Sequence, residues 1–234
     1  MSKKKLLSLA LVVIMIATLS FGSLAWFSDG DTVTNQFLVA GSEDQNPDEI
    51  FSVDVWEDID GDGDEDTTIG HIYQNILPGD QLPKIANVEN TGSYDQYIRV
   101  TVEITDAAAW MNALGTNYND DTLIACFEGY NADLWRREAT ETDIANDVIR
   151  ITLYYNGGNK ENRGIVAPGD VVKVFTAVNI PASLTQEQAA AFAGGFEIKV
   201  TADAVQTENL GIDTANTICD AYEAFQVVER LSKT

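Results

Sequence analysis

The sequence predicts an all-β fold, an antiparallel β-sandwich with short helical insertions, and three observations carry that expectation. Apolar and polar residues alternate with a period of two in five runs: 50–57 (IFSVDVWE), 97–104 (YIRVTVEI), 148–155 (VIRITLYY), 171–178 (VVKVFTAV) and 196–205 (FEIKVTADAV). That period turns one face of each run to a core and the other to water. β-Branched and aromatic residues fill the runs while Gly, Asn and Pro cluster between them, which suits antiparallel strands rather than βαβ units. Finally, 45% of the 234 residues are apolar, enough for a real core, and the two cysteines are too few for a disulfide scaffold.

In chain order, the first segment is 1–25, where Lys3, Lys4 and Lys5 precede an apolar run over 6–19 and then small residues. This predicts a cleaved secretory signal peptide. Ser23 and Ala25 suit the −3 and −1 positions of a signal peptidase, so Trp26 becomes the new N-terminus. An uncleaved anchor is the competing assignment, opposed by the shortness of the run and its interruption by Ser8, Thr18 and Ser20. Cleavage removes three lysines and no acids, taking the formal charge from −23 to −26. Residues 26–49 then form an N-terminal arm. Within 32–39 (TVTNQFLV), Val33, Phe37 and Val39 share one alternating face, which makes this segment a candidate donor strand; 41–49 (GSEDQNPDE) separates it from a single sandwich domain over 50–234. On strand physics alone the arm completes its own sandwich or adds to the sheet edge of another copy equally well.

The tetrapeptides 77–80 (LPGD) and 167–170 (APGD) each precede a strand-like run. Pro presets φ at the second position of a type II turn and Gly accepts positive φ at the third. Their flanks do not align, so this reads as recurring turn chemistry rather than an internal repeat. In the second run Ile98, Val100, Val102 and Ile104 share one face; in the last, Phe196, Ile198, Val200 and Ala202 do. Helices are expected over 106–114, with Asp106 as an acidic cap, and over 185–192, where Thr185 and Gln188 form a capping box and Gly194 and Gly195 end the helix. Over 214–231, Ile218, Tyr222, Phe225 and Val228 fall near helical spacing, although Val227 and Val228 suit a strand equally.

Charge excludes whole classes of partner. Fourteen Lys and Arg stand against 37 Asp and Glu, so the surface repels a phosphate backbone and nucleic-acid binding is excluded. Membrane contact is expected only through the precursor's signal peptide. The sharpest local motif is the acidic run 56–68 (WEDIDGDGDEDTT): Asp58, Asp60 and Asp62 alternate and are followed by Gly63, matching positions 1, 3, 5 and 6 of a calcium loop, with Asp64 and Asp66 at 7 and 9. Position 12 is Ile69 rather than a bidentate Glu, a departure from an EF-hand. Calcium is the expected ion, since close carboxylates repel without a cation; a solvated acidic loop is the alternative. Catalysis finds little support, because His71 is the only histidine and there is no HExxH or Gly-x-Ser-x-Gly. Cys126 and Cys219 could pair in an exported chain, while the apolar setting of Cys126 (LIACFEG) equally suits a buried free thiol. Trp26, Trp56, Trp110 and Trp135 serve either a carbohydrate platform or, more commonly, core packing.

Three segments carry a family resemblance: SLAWFSDGDTVTNQFLVAG over 23–41, LPGDQLPKIANVENTGSYDQYIRVTVEI over 77–104, and FEIKVTADAVQTENL over 196–210. They resemble the TasA and camelysin family of secreted Gram-positive proteins, the first segment looking like the sequence cut by SipW-type signal peptidases. The likeness covers the N-terminal third and the strand near Phe196 well, and the region 106–162 poorly. It implies a jelly-roll form of the sandwich, a SipW-like peptidase as processing partner, and location in the extracellular matrix or at the cell surface. In the TasA branch it implies a non-enzymatic subunit of a biofilm fibre assembled by donor-strand exchange, a homopolymer or one mixed with related matrix subunits, and tilts the arm towards intermolecular donation. The camelysin name implies the alternative of a secreted metallopeptidase; a monomeric calcium-binding surface adhesin is the other.

Overall fold

The computed structural model describes residues 52–58, 60–63, 73–157, 163–192, 194–207, 210 and 220–233. Ser23, Ala25 and Trp26 of the expected cleavage site and Val33, Phe37 and Val39 of the arm lie outside the described residues. The chain is mostly β. Its strands are β1 (Val53–Asp58), β2 (Gln81–Asn90), β3 (Gln96–Thr105), β4 (Phe127–Glu128), β5 (Trp135–Arg137), β6 (Glu141–Asp143), β7 (Val148–Tyr155), β8 (Ile165–Val166), β9 (Val171–Asn179) and β10 (Ile198–Gln206). Among the described residues four short helices accompany them: α1 (Ala107–Leu114), α2 (Asp120–Ile124), α3 (Gln186–Ala191) and α4 (Ala221–Leu231).

Two antiparallel sheets form, one in the order β1-β2-β9-β4 and one in the order β10-β3-β7-β5, with β6 and β8 pairing β7 and β3. The predicted alternation sets the layers. Ile98, Val100, Val102 and Ile104 of β3 and Ile149, Ile151 and Leu153 of β7 are at most 1% exposed and share one core with Val53, Val88, Val174 and Phe175 of the facing sheet. Burying each such side chain contributes roughly 1.5–3 kcal/mol. Trp135 ties the layers together by a polar bond as well, its indole Nε1 donating to the Lys173 carbonyl of β9 at 2.8 Å.

Both Pro-Gly-Asp turns form, and the fold gives them equivalent places. Gly79 (φ +91°) and Gly169 (φ +79°) take the positive-φ position, and the Asp80 and Asp170 amides close the turns on the Leu77 and Ala167 carbonyls at 3.0 Å. The first turn precedes β2 and exchanges bonds with Ile180 beyond β9 (Gly79 N to Ile180 O, 3.1 Å; Ile180 N to Asp80 O, 2.8 Å). The second precedes β9 and exchanges bonds with Asn90 at the end of β2 (Gly169 N to Asn90 O, 2.8 Å; Asn90 N to Asp170 O, 3.0 Å). Recurring turn chemistry thus closes the two ends of one ladder in the same way.

The helices follow their signals with one correction. At α3, Thr185 and Gln188 form the expected reciprocal capping box, and Phe192 and Phe196 pack edge-on against the fully buried Trp110 of α1. Asp106 does not cap α1: its backbone is left-handed (φ +59°) and its side chain makes no cap bond. The donors are met from across the sheet instead, Ala108 N by Asp147 Oδ1 at 2.9 Å and Ala107 N by the Asp147 carbonyl at 3.2 Å. The C-terminal ambiguity resolves to a helix, which begins only at Ala221, capped by Asp220. A tertiary surface decides this, since α4 rests on the outer face of the second sheet, where Ala221, Ala224 and Phe225 pack with Tyr97, Tyr154 and Val205.

A buried polar hub joins the end of β2 to its neighbours. Asn90, fully buried, donates to the carbonyls of Tyr94 (2.9 Å) and Val166 (2.8 Å) and accepts from Gly92 N (3.0 Å) and Gln96 Nε2 (2.5 Å). Gln96 Nε2 also reaches the Ser52 carbonyl at 3.1 Å, as do the amides of Thr91 and Gly92 at the same distance. Ser52 immediately precedes β1, so this hub fixes the point at which the arm joins the sheets.

Candidate functional site

The acidic loop springs from the end of β1, which among the described residues pairs with β2 alone, Asp58 lying opposite Ile85. Asp58 is 2% exposed. Its Oδ1 accepts from Gly61 N at 2.6 Å and its Oδ2 from Gly63 N at 3.1 Å, while Asp60 Oδ1 accepts from Asp62 N at 3.1 Å. Gly61 (φ +80°) and Gly63 (φ +96°) permit this tight coil, which carries Asp60 and Asp62 back over Asp58. One carboxylate oxygen from each of the three Asp residues lies within 4.8 Å of the others, and among the described residues no other group of three His, Cys, Asp or Glu side chains could hold a metal ion. Each Asp58 oxygen keeps a lone pair beyond the one its amide uses. An all-oxygen set of this kind suits a hard cation such as calcium. The element before the loop is a strand, so the setting is not that of an EF-hand.

Asp64 and Asp66, which the spacing adds to this set, lie outside the described residues, as does His71. The Cys126 thiol is free and buried, and burial pushes it up to about 11; Cys219 lies outside the described residues. Trp56, Trp110 and Trp135 are all buried, at 7%, 0% and 1% exposure, and so belong to packing rather than to an exposed carbohydrate platform. Beside the loop, Lys84 pairs with Glu57, both largely buried.

Two arginines, Arg99 of β3 and Arg136 of β5, organise the outer face of the second sheet. Arg99 donates to Asp203 Oδ2 (2.8 and 3.1 Å) and Glu229 Oε1 (2.6 Å), with the Phe225 ring 4.5 Å from its guanidinium carbon. Burial acts to lower its pKa, but the Asp203 and Glu229 carboxylates, with the Tyr154 hydroxyl, outweigh burial and hold it above the ordinary value. Arg136 covers the Tyr222 ring at 3.7 Å and reaches Asp220 at 3.5 Å. The i, i+2 spacing that gave away the Asp loop has no counterpart here, because these partners are up to 130 residues apart.

Among the described residues, the fold and site define a two-sheet antiparallel β protein with one carboxylate cluster at the end of β1, a strand that pairs there with β2 alone. Compared with the models of known families and with characterised proteins, the chain matches none.

The cluster supports an expected outcome. Calcium titrated into the protein should release or absorb measurable heat with a dissociation constant of roughly 10⁻⁴ to 10⁻³ M, the range of extracellular modules. Asp60→Ala combined with Asp62→Ala should abolish it; identical flat titrations of both proteins would remove the site.

Proposed function

We propose that the chain is a secreted structural subunit of an extracellular fibre or biofilm matrix of a Gram-positive bacterium, cut by a SipW-like signal peptidase and assembled by donor-strand exchange. One observation carries the reading. β1 and β10 lie beside each other at one side of the two sheets, and each pairs with a single strand among the described residues. The core-facing Val55, Ile198 and Val200 along these strands remain only half-buried, whereas their counterparts on β3 and β7 are at most 1% exposed. A strand added at this side would supply main-chain bonds to an open edge and cover those side chains. The arm offers Val33, Phe37 and Val39 on one face for that purpose. With the acceptor in the next copy, head-to-tail contacts do not close and a filament results.

The strand orders also support the jelly-roll form: β2-β9-β4 facing β10-β3-β7 is the interleaving that nested Greek keys produce, with β1 and β5 added at the ends. Asp58, Asp60 and Asp62 favour calcium as the bound ion, and with it the second reading, a monomeric calcium-binding surface adhesin.

Electron microscopy of the chain from Trp26 onward separates these readings. Abundant filaments, lost on deleting 26–39, are the expected result. A persistent monomer at high concentration would overturn the fibre and leave the adhesin.

A further inference from the structure

Helix α4 touches every strand of the second sheet's main path. It meets β10 through Val205, β3 through Tyr97 and Arg99, β7 through Tyr154 and β5 through Arg136. Its apolar contacts form a cluster of their own, on the opposite face of that sheet from the shared core. Tyr154 sits at the centre of the cluster, edge-on to both Tyr222 (5.2 Å) and Phe225 (5.8 Å), and its hydroxyl donates to Glu138 at 3.2 Å. Two cation–ring stacks and the ion pairs of Arg99 and Arg136 complete the attachment.

Such a helix has little stability of its own. At 11 residues it is below the length at which an isolated helix persists in water, so it is helical only while docked. Its docking rests on a small apolar footprint, in which Ala221, Ala224 and Phe225 are the fully buried helix residues, and on half-exposed charges that salt screens. The sandwich beneath it rests on a much larger core. Opening of the helix therefore costs less than opening of the sheets, and because Phe225 serves both the aromatic cluster and the Arg99 stack, its withdrawal breaks both anchors together.

We propose that α4 is a clasp that opens as one unit while the sandwich stays folded, uncovering a face of Tyr97, Tyr154 and Val205 flanked by Arg99 and Arg136. That face brings aromatic rings and guanidinium groups to the surface of a chain whose formal charge is −23. Ionic strength sets the position of the equilibrium, because the carboxylates of Asp220 and Glu229 hold the helix down through charges near the surface. This inference is independent of the fibre reading.

Amide hydrogen exchange on the chain from Trp26 onward tests it, under conditions where closing outpaces exchange. The amides of 225–231 should share one protection factor, at least about 100-fold below that of β3 and β7. Raising salt from about 0.05 M to about 1 M should speed their exchange several-fold and leave β3 and β7 unchanged. Phe225→Ala should speed α4 by about 30-fold or more, and the milder Glu229→Gln by a few-fold, again without effect on β3 and β7. A common protection factor for α4 and the sheets, a smooth gradient of fraying from residue 231 inward, or equal acceleration of helix and sheets by either variant would each overturn the clasp.

Discussion

Replacing Asn90 by Ala is expected to cost about 3–5 kcal/mol of folding stability, far more than its position at a strand end and loop suggests. The side chain is fully buried and uses both ends: its amide serves the Tyr94 and Val166 carbonyls, and its oxygen serves Gly92 N and Gln96 Nε2. Ala takes the side-chain donor from the Tyr94 and Val166 carbonyls and leaves Gly92 N and Gln96 Nε2 only the Ser52 carbonyl, which they share with Thr91 N; each buried group left short of a partner costs about 1–3 kcal/mol. Gln96 adds to the cost, since its Oε1 is already buried without a hydrogen bond and its Nε2 loses the Asn90 oxygen. Thr91→Ala is the control, because its hydroxyl bonds Ser52 Oγ at 2.9 Å at the exposed rim; a loss below about 1 kcal/mol is expected there. Urea unfolding measures both. Equal midpoints for the two variants would show that the hub contributes nothing special. The effect reaches beyond stability, since the hub grips the Ser52 carbonyl through three donors. Loosening it frees the root of the arm, and in the fibre reading that weakens the fixed geometry from which a donor strand departs.

The hub also shows what the sequence could and could not reveal. Long strands with period-two alternation were legible because that period is a local property: β7 spans the expected 148–155, and β3 and β9 extend their runs by a residue or two, whereas β2, equally long, was marked only by the Pro-Gly-Asp turn before it. The Asp58, Asp60 and Asp62 cluster was legible for the same reason, as three ligands at alternate positions need only a tight coil to meet. β4, β5, β6 and β8, of two or three residues each, are too short to carry any period and exist only because a longer neighbour offers its edge. Helix α2 does carry a local signal, the reciprocal cap of Asn119 and Thr122, but at five residues it is too short to show a helical period. Asp106 misled, because an acid before an Ala-rich run satisfies the cap pattern whatever its backbone does; here that backbone is left-handed, and Asp147 meets the first helical donors instead. Asn90, Arg99 and Arg136 were invisible as functional parts. An Asn before Thr-Gly reads as a turn, and an Arg on an alternating strand reads as a solvated face until a helix from the far end of the chain lands on it.

The most damaging small substitution is expected at Gly164, where Ala should lower stability by about 3–5 kcal/mol through the sum of two costs. Gly164 has φ +77°, so any L side chain adds about 1–2 kcal/mol of left-handed strain. Its new Cβ would also stand 2.0 Å from the Tyr155 carbonyl oxygen and 2.9 Å from its carbon. The obstacle is backbone at the end of β7, so no rotamer change relieves it; β8 itself must move. That strand holds Ile165 and Val166 against Tyr97 and Gln96 of β3, and the Val166 carbonyl is one of the four partners of Asn90, so the displacement reaches the hub. Gly169→Ala isolates the two contributions: its φ of +79° is nearly the same, but nothing lies within 4 Å of the added Cβ. It should therefore lose only the strain, about 1–2 kcal/mol. Denaturant midpoints of the two variants, with unchanged slopes, measure the difference. If both fall by the same amount, close approach at Gly164 is not what requires glycine, and conformational strain alone governs both turns.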